Sequence, residues 1–295
     1  MGNSLTKIVR FSALVMAGGA LSFAVFFSNC GGSSGDRRTG TAGTSGGGST
    51  GTAGTGSGGA TGTGGTGGAV VMHTCTPKPD LTCGASAITL ASGNVTDFGP
   101  ADWSMTNGKY CGADGLQGSI FSYSGGPAPE DGGVASSNAV AVDTAMGNLK
   151  LTLTAGPGGY AGGGISFDGC VNASASNALS FKAWVSGGDI TGCNFKSQMQ
   201  TFEQRPISQN PPGGCDPDAG SCYGFPASTV TLGTSPQTFT IKFTDMTGAT
   251  HANPIPGQIV GLQWQLESGM ATTDGGPQPS CTVEIRIDDI AFVTQ

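Results

Sequence analysis

"CTVEIRIDDIAFV", residues 281–293, sets Cys281, Val283, Ile285 and Ile287 in strict alternation with Thr282, Glu284 and Arg286. Successive side chains of a strand point to opposite faces, so this run reads as a β-strand with one face buried. The same period recurs upstream. Leu149, Leu151 and Leu153 share a face in "NLKLTLT", and Leu179, Phe181, Ala183 and Val185 in "LSFKAWV". Phe239, Ile241 and Phe243 alternate in "FTIKF", as do Val260, Leu262, Trp264 and Leu266 in "VGLQWQL". Weaker strands are expected around 86–90, 117–123, 138–142, 160–167, 194–202 and 228–232. Clusters such as "SGGPAPEDGG" and "SQNPPGGCDPDAGSC" separate them, and Gly, Pro, Asn and Asp there mark turns and loops. No stretch beyond residue 70 repeats at the helical period. About ten short antiparallel strands with turn punctuation predict an all-β fold, a β-sandwich or jelly roll.

The chain ahead of this domain has a different chemistry. Residues 1–10 carry Lys7 and Arg10 and no acid, and residues 11–27, "FSALVMAGGALSFAVFF", are almost wholly apolar. A charged start followed by an apolar run is the layout of a signal peptide, here residues 1–29. Two alternatives remain open. An uncleaved anchor would be short for a bilayer and is weakened by Gly18 and Gly19. "MGNSLT" also fits the loose N-myristoylation pattern. The apolar run stops at Cys30, and the segment resembles a bacterial lipoprotein signal, in which such a cysteine is lipidated and becomes the first mature residue. Asn29 stands where those signals carry a small residue. Acyl chains on Cys30 would hold the protein on a membrane through buried methylenes.

Residues 30–72 form a linker. Within 31–70 only Asp36, Arg37, Arg38 and Val70 are not Gly, Ser, Thr or Ala. Such a segment cannot bury enough apolar surface to offset its ordering entropy, and a Gly-rich coil of this length reaches on the order of 35 Å. It reads as a stalk, or as a neutral spacer. That leaves a domain over 73–295. Residues 71–295 carry 8 Lys and Arg against 18 Asp and Glu, a net charge of −10. This excludes the basic footprint of a nucleic-acid binder. It also leaves the lipid anchor as the only expected membrane contact.

Nine cysteines fit export. With Cys30 set aside, Cys75, Cys83, Cys111, Cys170, Cys193, Cys215, Cys222 and Cys281 form an even set, the mark of a disulfide framework. Cys215 and Cys222 read as a local staple and Cys75 with Cys83 as a second, leaving Cys111, Cys170, Cys193 and Cys281 for long-range bridges. Zinc is the competing use, but there is no Cys-x2-Cys pair, and His73 and His251 are the only histidines.

"VTDFGPADW" (95–103), "YAGGGISFDGCVNASASNALSFKAWVSG" and the closing Ile-Asp-Asp-Ile of the last strand together resemble the galactose-binding-like jelly-roll carbohydrate-binding modules. The likeness spans roughly 86–295. It also points to exported, cysteine-rich proteins of delta-proteobacterial type, built as leader, tether and jelly roll. The resemblance implies a structural calcium tying the first and last strands, at Asp97 and Asp288 or Asp289. By alternation Asp289 falls on the face of Val283, Ile285 and Ile287. An inward carboxylate there needs a partner, whether calcium, backbone N–H groups or a basic side chain.

Sugar sites combine aromatic platforms with planar amides that both donate and accept. "FKSQMQTF" sets Lys196, Gln198 and Gln200 on one side of a strand, and "LQWQL" sets Gln263 and Gln265 opposite the apolar face. If the two strands are neighbours, four amides make one patch; otherwise the glutamines form an ordinary solvated face. Trp103, Trp184 and Tyr223 are candidate platforms. Arg205 stands at the mouth of the long 203–225 loop, a length that often marks function. The same loop reads equally as a disulfide-stapled surface segment. No Gly-x-Ser-x-Gly, His-Glu-x-x-His or phosphate-binding loop occurs, and no carboxylate pair sits in a recognisable catalytic context. The sequence therefore predicts an exported, lipid-anchored envelope protein, in the outer membrane or at the cell surface. Its non-catalytic jelly roll is expected to bind a polysaccharide or other glycan. The alternative is a structural or adhesive envelope protein that binds another protein, and a glycoside-active enzyme is the third reading.

Overall fold

The structure, a computed structural model, describes residues 83–84, 87–99, 101–104, 109–127, 133–209, 212–219, 222–248, 252–269 and 279–295. The leader, the linker, Cys30, His73, Cys75 and His251 lie outside the described residues. Among those described, no helix is long and apolar enough to cross a membrane.

Among the described residues, fourteen strands form two sheets. In chain order they are β1 (Ile88–Thr89), β2 (Asn94–Thr96), β3 (Trp103–Ser104), β4 (Lys109–Cys111), β5 (Gln117–Gly125), β6 (Ser137–Asp143) and β7 (Asn148–Ala155). Then follow β8 (Tyr160–Asn172), β9 (Ala178–Asp189), β10 (Cys193–Thr201), β11 (Ala227–Val230), β12 (Gln237–Lys242), β13 (Ile259–Ser268) and β14 (Cys281–Val293). The larger sheet runs β11-β10-β13-β8-β5-β4-β3, with β1 added in parallel to β8; the smaller runs β12-β9-β14-β7-β6, with β2 added to β14. The expected all-β sandwich is thus present. The strands of four residues or more fall where the alternation placed them. The short β2, β3 and β4 had no period long enough to read.

The two inner faces make the core. Leu149, Leu151 and Leu153 of β7, Leu179, Phe181 and Ala183 of β9, and Val283, Ile285 and Ile287 of β14 face Ile165, Phe167, Phe195, Met199, Leu262, Trp264 and Leu266. Trp264 meets Phe181 edge-on across the sandwich, with ring centroids 5.6 Å apart. Each such buried side chain contributes on the order of 1.5–3 kcal/mol. Val260 departs from the expected face. The β13–β8 register shifts between Ile259 and Gly261, so Ile259 joins the main core while Val260 packs with Cys170 in a satellite cluster.

The opening and closing segments do pair, Thr96 with Ile290. Asp289, however, is not inward. The β14–β9 register shifts between Asp288 and Ala291, and Asp289 takes a positive φ of 46°. This bulge turns its carboxylate out to solvent, where it pairs with Lys182.

Disulfides join Cys193 to Cys281, Cys215 to Cys222 and Cys83 to Cys170. The local staple is as expected. Cys83 instead reaches β8 rather than Cys75, because the parallel pairing of β1 with β8 carries the start of the domain onto that strand. Cys111 is also disulfide-bonded, and its partner lies outside the described residues.

Candidate functional site

The outer face of the larger sheet gathers the polar residues singled out above. β10 and β13 are antiparallel neighbours, with Gln198 opposite Gln263, Lys196 opposite Gln265 and Gln200 opposite Gly261. The four glutamines therefore form one patch. Three of them also bond to each other. Gln200 Nε2 donates to Gln263 Oε1 at 2.5 Å, and Gln263 Nε2 donates to Gln198 Oε1. Gln265 Nε2 donates to Glu267 Oε1, and Glu267 Oε2 pairs with Lys196. Gln200 and Gln263 are only 6% and 5% exposed, whereas Gln198 and Gln265 are half-buried.

Across the sheet the register reaches residues that the sequence had not singled out. Gln263 faces Gly164 and Gln265 faces Gly162 on β8; Gly164 in turn faces Phe121 and Gly162 faces Tyr123 on β5. Two glycines thus lie between an amide row and an aromatic row. Tyr123 leans over its own partner. A Cβ on Gly162 would lie 2.6 Å from both Cζ and the hydroxyl of Tyr123. From there the hydroxyl donates to Gln198 Oε1 at 3.4 Å. Phe121 stacks against Tyr123 at 6.1 Å and 20°, and Tyr160 follows at 6.2 Å, tilted by 51°. The signal was present in the sequence. "IFSYS" alternates Phe121 and Tyr123 onto one face, and three consecutive glycines inside a strand mark a close approach.

The ends of the face carry charge in neutralised form. Lys196 pairs with Glu267 at one end, and Lys109 Nζ lies 2.6 Å from Asp168 Oδ2 at the other. Arg205 is buried beyond Thr201, and that burial depresses its guanidinium pKa against the opposing pull of Asp168. Burial, with Tyr160 and Glu267 adding to it, pushes the Tyr123 phenol well above its usual range, so it remains a protonated donor.

Other candidates lie elsewhere. Trp103 is 8% exposed and belongs to the hydrophobic core, not to the amide face. Its strand pairs it with Tyr110, which pairs with Gly118 and so with Phe167 on the inner side. Trp184 occupies the outer face of the smaller sheet, opposite Arg286. Tyr223 projects from the stapled loop at a positive φ of 71°, half exposed and edge-on to Phe225.

The calcium positions divide. Asp288 is raised above the usual carboxylate range, first by burial, with Asp289 and Asp97 adding repulsion and Lys182 opposing. Asp97 Oδ1 accepts the Gly99 N–H at 2.8 Å. Asp97 thus acts on Asp288 as a repelling charge, whereas Asp289 is turned away to Lys182. Among the described residues, no three His, Cys, Asp or Glu side chains converge as a metal cluster.

No family model matches the chain. No curated protein matches it. Among solved structures, it is similar to a family 11 carbohydrate-binding module of a cellulosomal cellulase of Clostridium thermocellum, with 15% identity, a TM-score of 0.36, and 60% of this chain and 88% of that one covered. A family 30 carbohydrate-binding module of another cellulosomal cellulase of the same organism gives 15% identity and a TM-score of 0.36, over 60% of this chain and 92% of that one. An exo-beta-agarase gives 11% identity and a TM-score of 0.36, over 69% of this chain and 26% of that one. Overlap this partial leaves the function to be read from this chain's own residues.

Proposed function

We propose that this protein is a non-catalytic glycan binder. A neutral polysaccharide would lie on the outer face of the larger sheet, between the glutamines of β10 and β13 and the rings of β5. The register that sets Gln198 against Gln263 and brings Tyr123 to the same amides carries the reading. Rings cover the apolar faces of sugars while amides meet hydroxyls. The ion pairs at both ends consume the local charge, and the net charge of −10 over residues 71–295 disfavours anionic chains. A panel of immobilised neutral and anionic polysaccharides tests this. Retention on at least one neutral polymer is expected, with about tenfold weaker binding for Tyr123→Ala. Retention on anionic polymers alone, or equal retention of the variant, contradicts the assignment.

The alternative of a protein-binding adhesin gains less support. Exposed large apolar side chains among the described residues are Val134, Met146, Ile207 and Tyr223, on three different connections rather than one face. Lipid attachment at Cys30, display in the envelope and a structural calcium at Asp97 and Asp288 complete the proposal. Millimolar calcium should raise Tm for the native chain and not for Asp288→Asn; an unchanged native Tm removes the ion. Mass spectrometry of the mature N-terminus decides Cys30, since an unmodified chain starting elsewhere ends the lipoprotein reading.

A further inference from the structure

Gln263 looks from the sequence like a contact residue, but its surroundings assign it another task. Its side chain is 5% exposed, and its amide is engaged at both ends, accepting from Gln200 and donating to Gln198. Gln198 Oε1 is in turn the acceptor of the Tyr123 hydroxyl. The chain of bonds is seated on glycine at both ends. Gln200 Oε1 would lie 3.0 Å from a Cβ on Gly261, and Tyr123 occupies the space of a Cβ on Gly162. Any larger residue at either glycine would displace a member of the chain. A planar amide fixed on both sides holds one orientation, because rotating it sets donor against donor and acceptor against acceptor.

We propose that Gln263 is a positioning residue that touches no ligand, and that its doubly engaged amide fixes Gln198 so that the Tyr123 ring is held across the glycine stripe of β8. The inference rests on the glycan reading only for what the ring is used for. The holding itself is a property of the free protein. Ring placement of this kind spares a ligand the cost of ordering the side chain on binding.

The test uses tyrosine-labelled protein and aromatic NMR, with the Tyr123 signals assigned by their loss in Tyr123→Phe. Gln263→Met, which keeps length but removes both hydrogen bonds, is expected to move the Tyr123 ring signals toward those of a solvated tyrosine. Gln198→Met, at a half-buried position, should do the same should the more buried Gln263 variant fold poorly. Signals that stay in place in both variants overturn the proposal. Affinity for mixed-linkage β-glucan, hydroxyethyl cellulose and agarose supplies the second readout. Gln263→Met and Tyr123→Phe should each lose about tenfold, and the double variant no more than the larger single loss, since both act through one bond chain. Losses that multiply would make Gln263 a direct contact and overturn the proposal. Ring signals that move in a protein retaining none of the three polymers uphold the positioning role and sink the glycan reading instead.

Discussion

Arg286 illustrates how much one residue organises outside the core. From β14 it bonds Asp143 Oδ2 at 2.6 Å, Asn148 Oδ1 at 2.9 Å and Glu284 Oε1 at 3.1 Å, tying three strands on the outer face of the smaller sheet. The Arg286 hydrogen bond holds the Asp143 carboxyl below its usual range, and a hydrogen bond from Ser186, then Arg286, does so for Glu284. A carboxyl whose folded pKa is depressed contributes stability above its unfolded pKa and loses it as pH falls through the folded value. Tm should therefore decline as pH drops below about 4, and Arg286→Met should flatten that decline; an unchanged pH profile in the variant contradicts the assignment. Asp288 has the opposite sign, since burial raises it. In chelator at neutral pH, Asp288→Asn should leave Tm unchanged or raise it. At this scale the sequence exposed the glutamines, because alternation states which residues share a face. It did not expose Trp103, because a strand of two residues has no period with which to tell core from surface.

The glycine run of β8 shows the same limit at the scale of an element. Alternation predicted a strand at 160–167 but could not say that its glycines separate two rows of side chains. The geometry does: a Cβ on Gly164 would lie 2.0 Å from the Leu262 carbonyl oxygen, a backbone atom fixed by the β13 pairing. Gly164→Ala should cost about 2–4 kcal/mol and lower Tm by several degrees. Gly187 on β9 is a fair contrast, since its added Cβ would meet only Glu284 Cβ at 3.7 Å. Gly187→Ala should be neutral or stabilising by up to about 1 kcal/mol. Equal effects in thermal denaturation would refute this account of the stripe. The bulges of β13 and β14 were equally hidden. A one-residue slip leaves composition unchanged while reversing which side chains face the core, as Val260 and Asp289 do.

Over the whole molecule, the even set of cysteines foretold a disulfide framework but not its pairing, because pairing depends on which strands the fold makes neighbours. Cys193–Cys281 crosses between the two sheets and closes a separation of 88 residues, whereas Cys215–Cys222 closes 7. Longer closures restrict the unfolded chain more. Replacing both Cys193 and Cys281 by serine should lower stability by about 2–5 kcal/mol, and replacing Cys215 and Cys222 clearly less. The reverse order would show that the stapled loop, not the sheet-to-sheet tie, anchors the domain. For the proposed function the sandwich matters because it leaves the amide and aromatic rows on one outer face. Backbone NMR during titration with a soluble neutral polysaccharide addresses that claim directly. Shifts are expected to concentrate on residues of β5, β8, β10 and β13 around Tyr123, Gly162, Gln198 and Gln263. Shifts confined to the opposite outer face around Trp184 and Arg286 would contradict it.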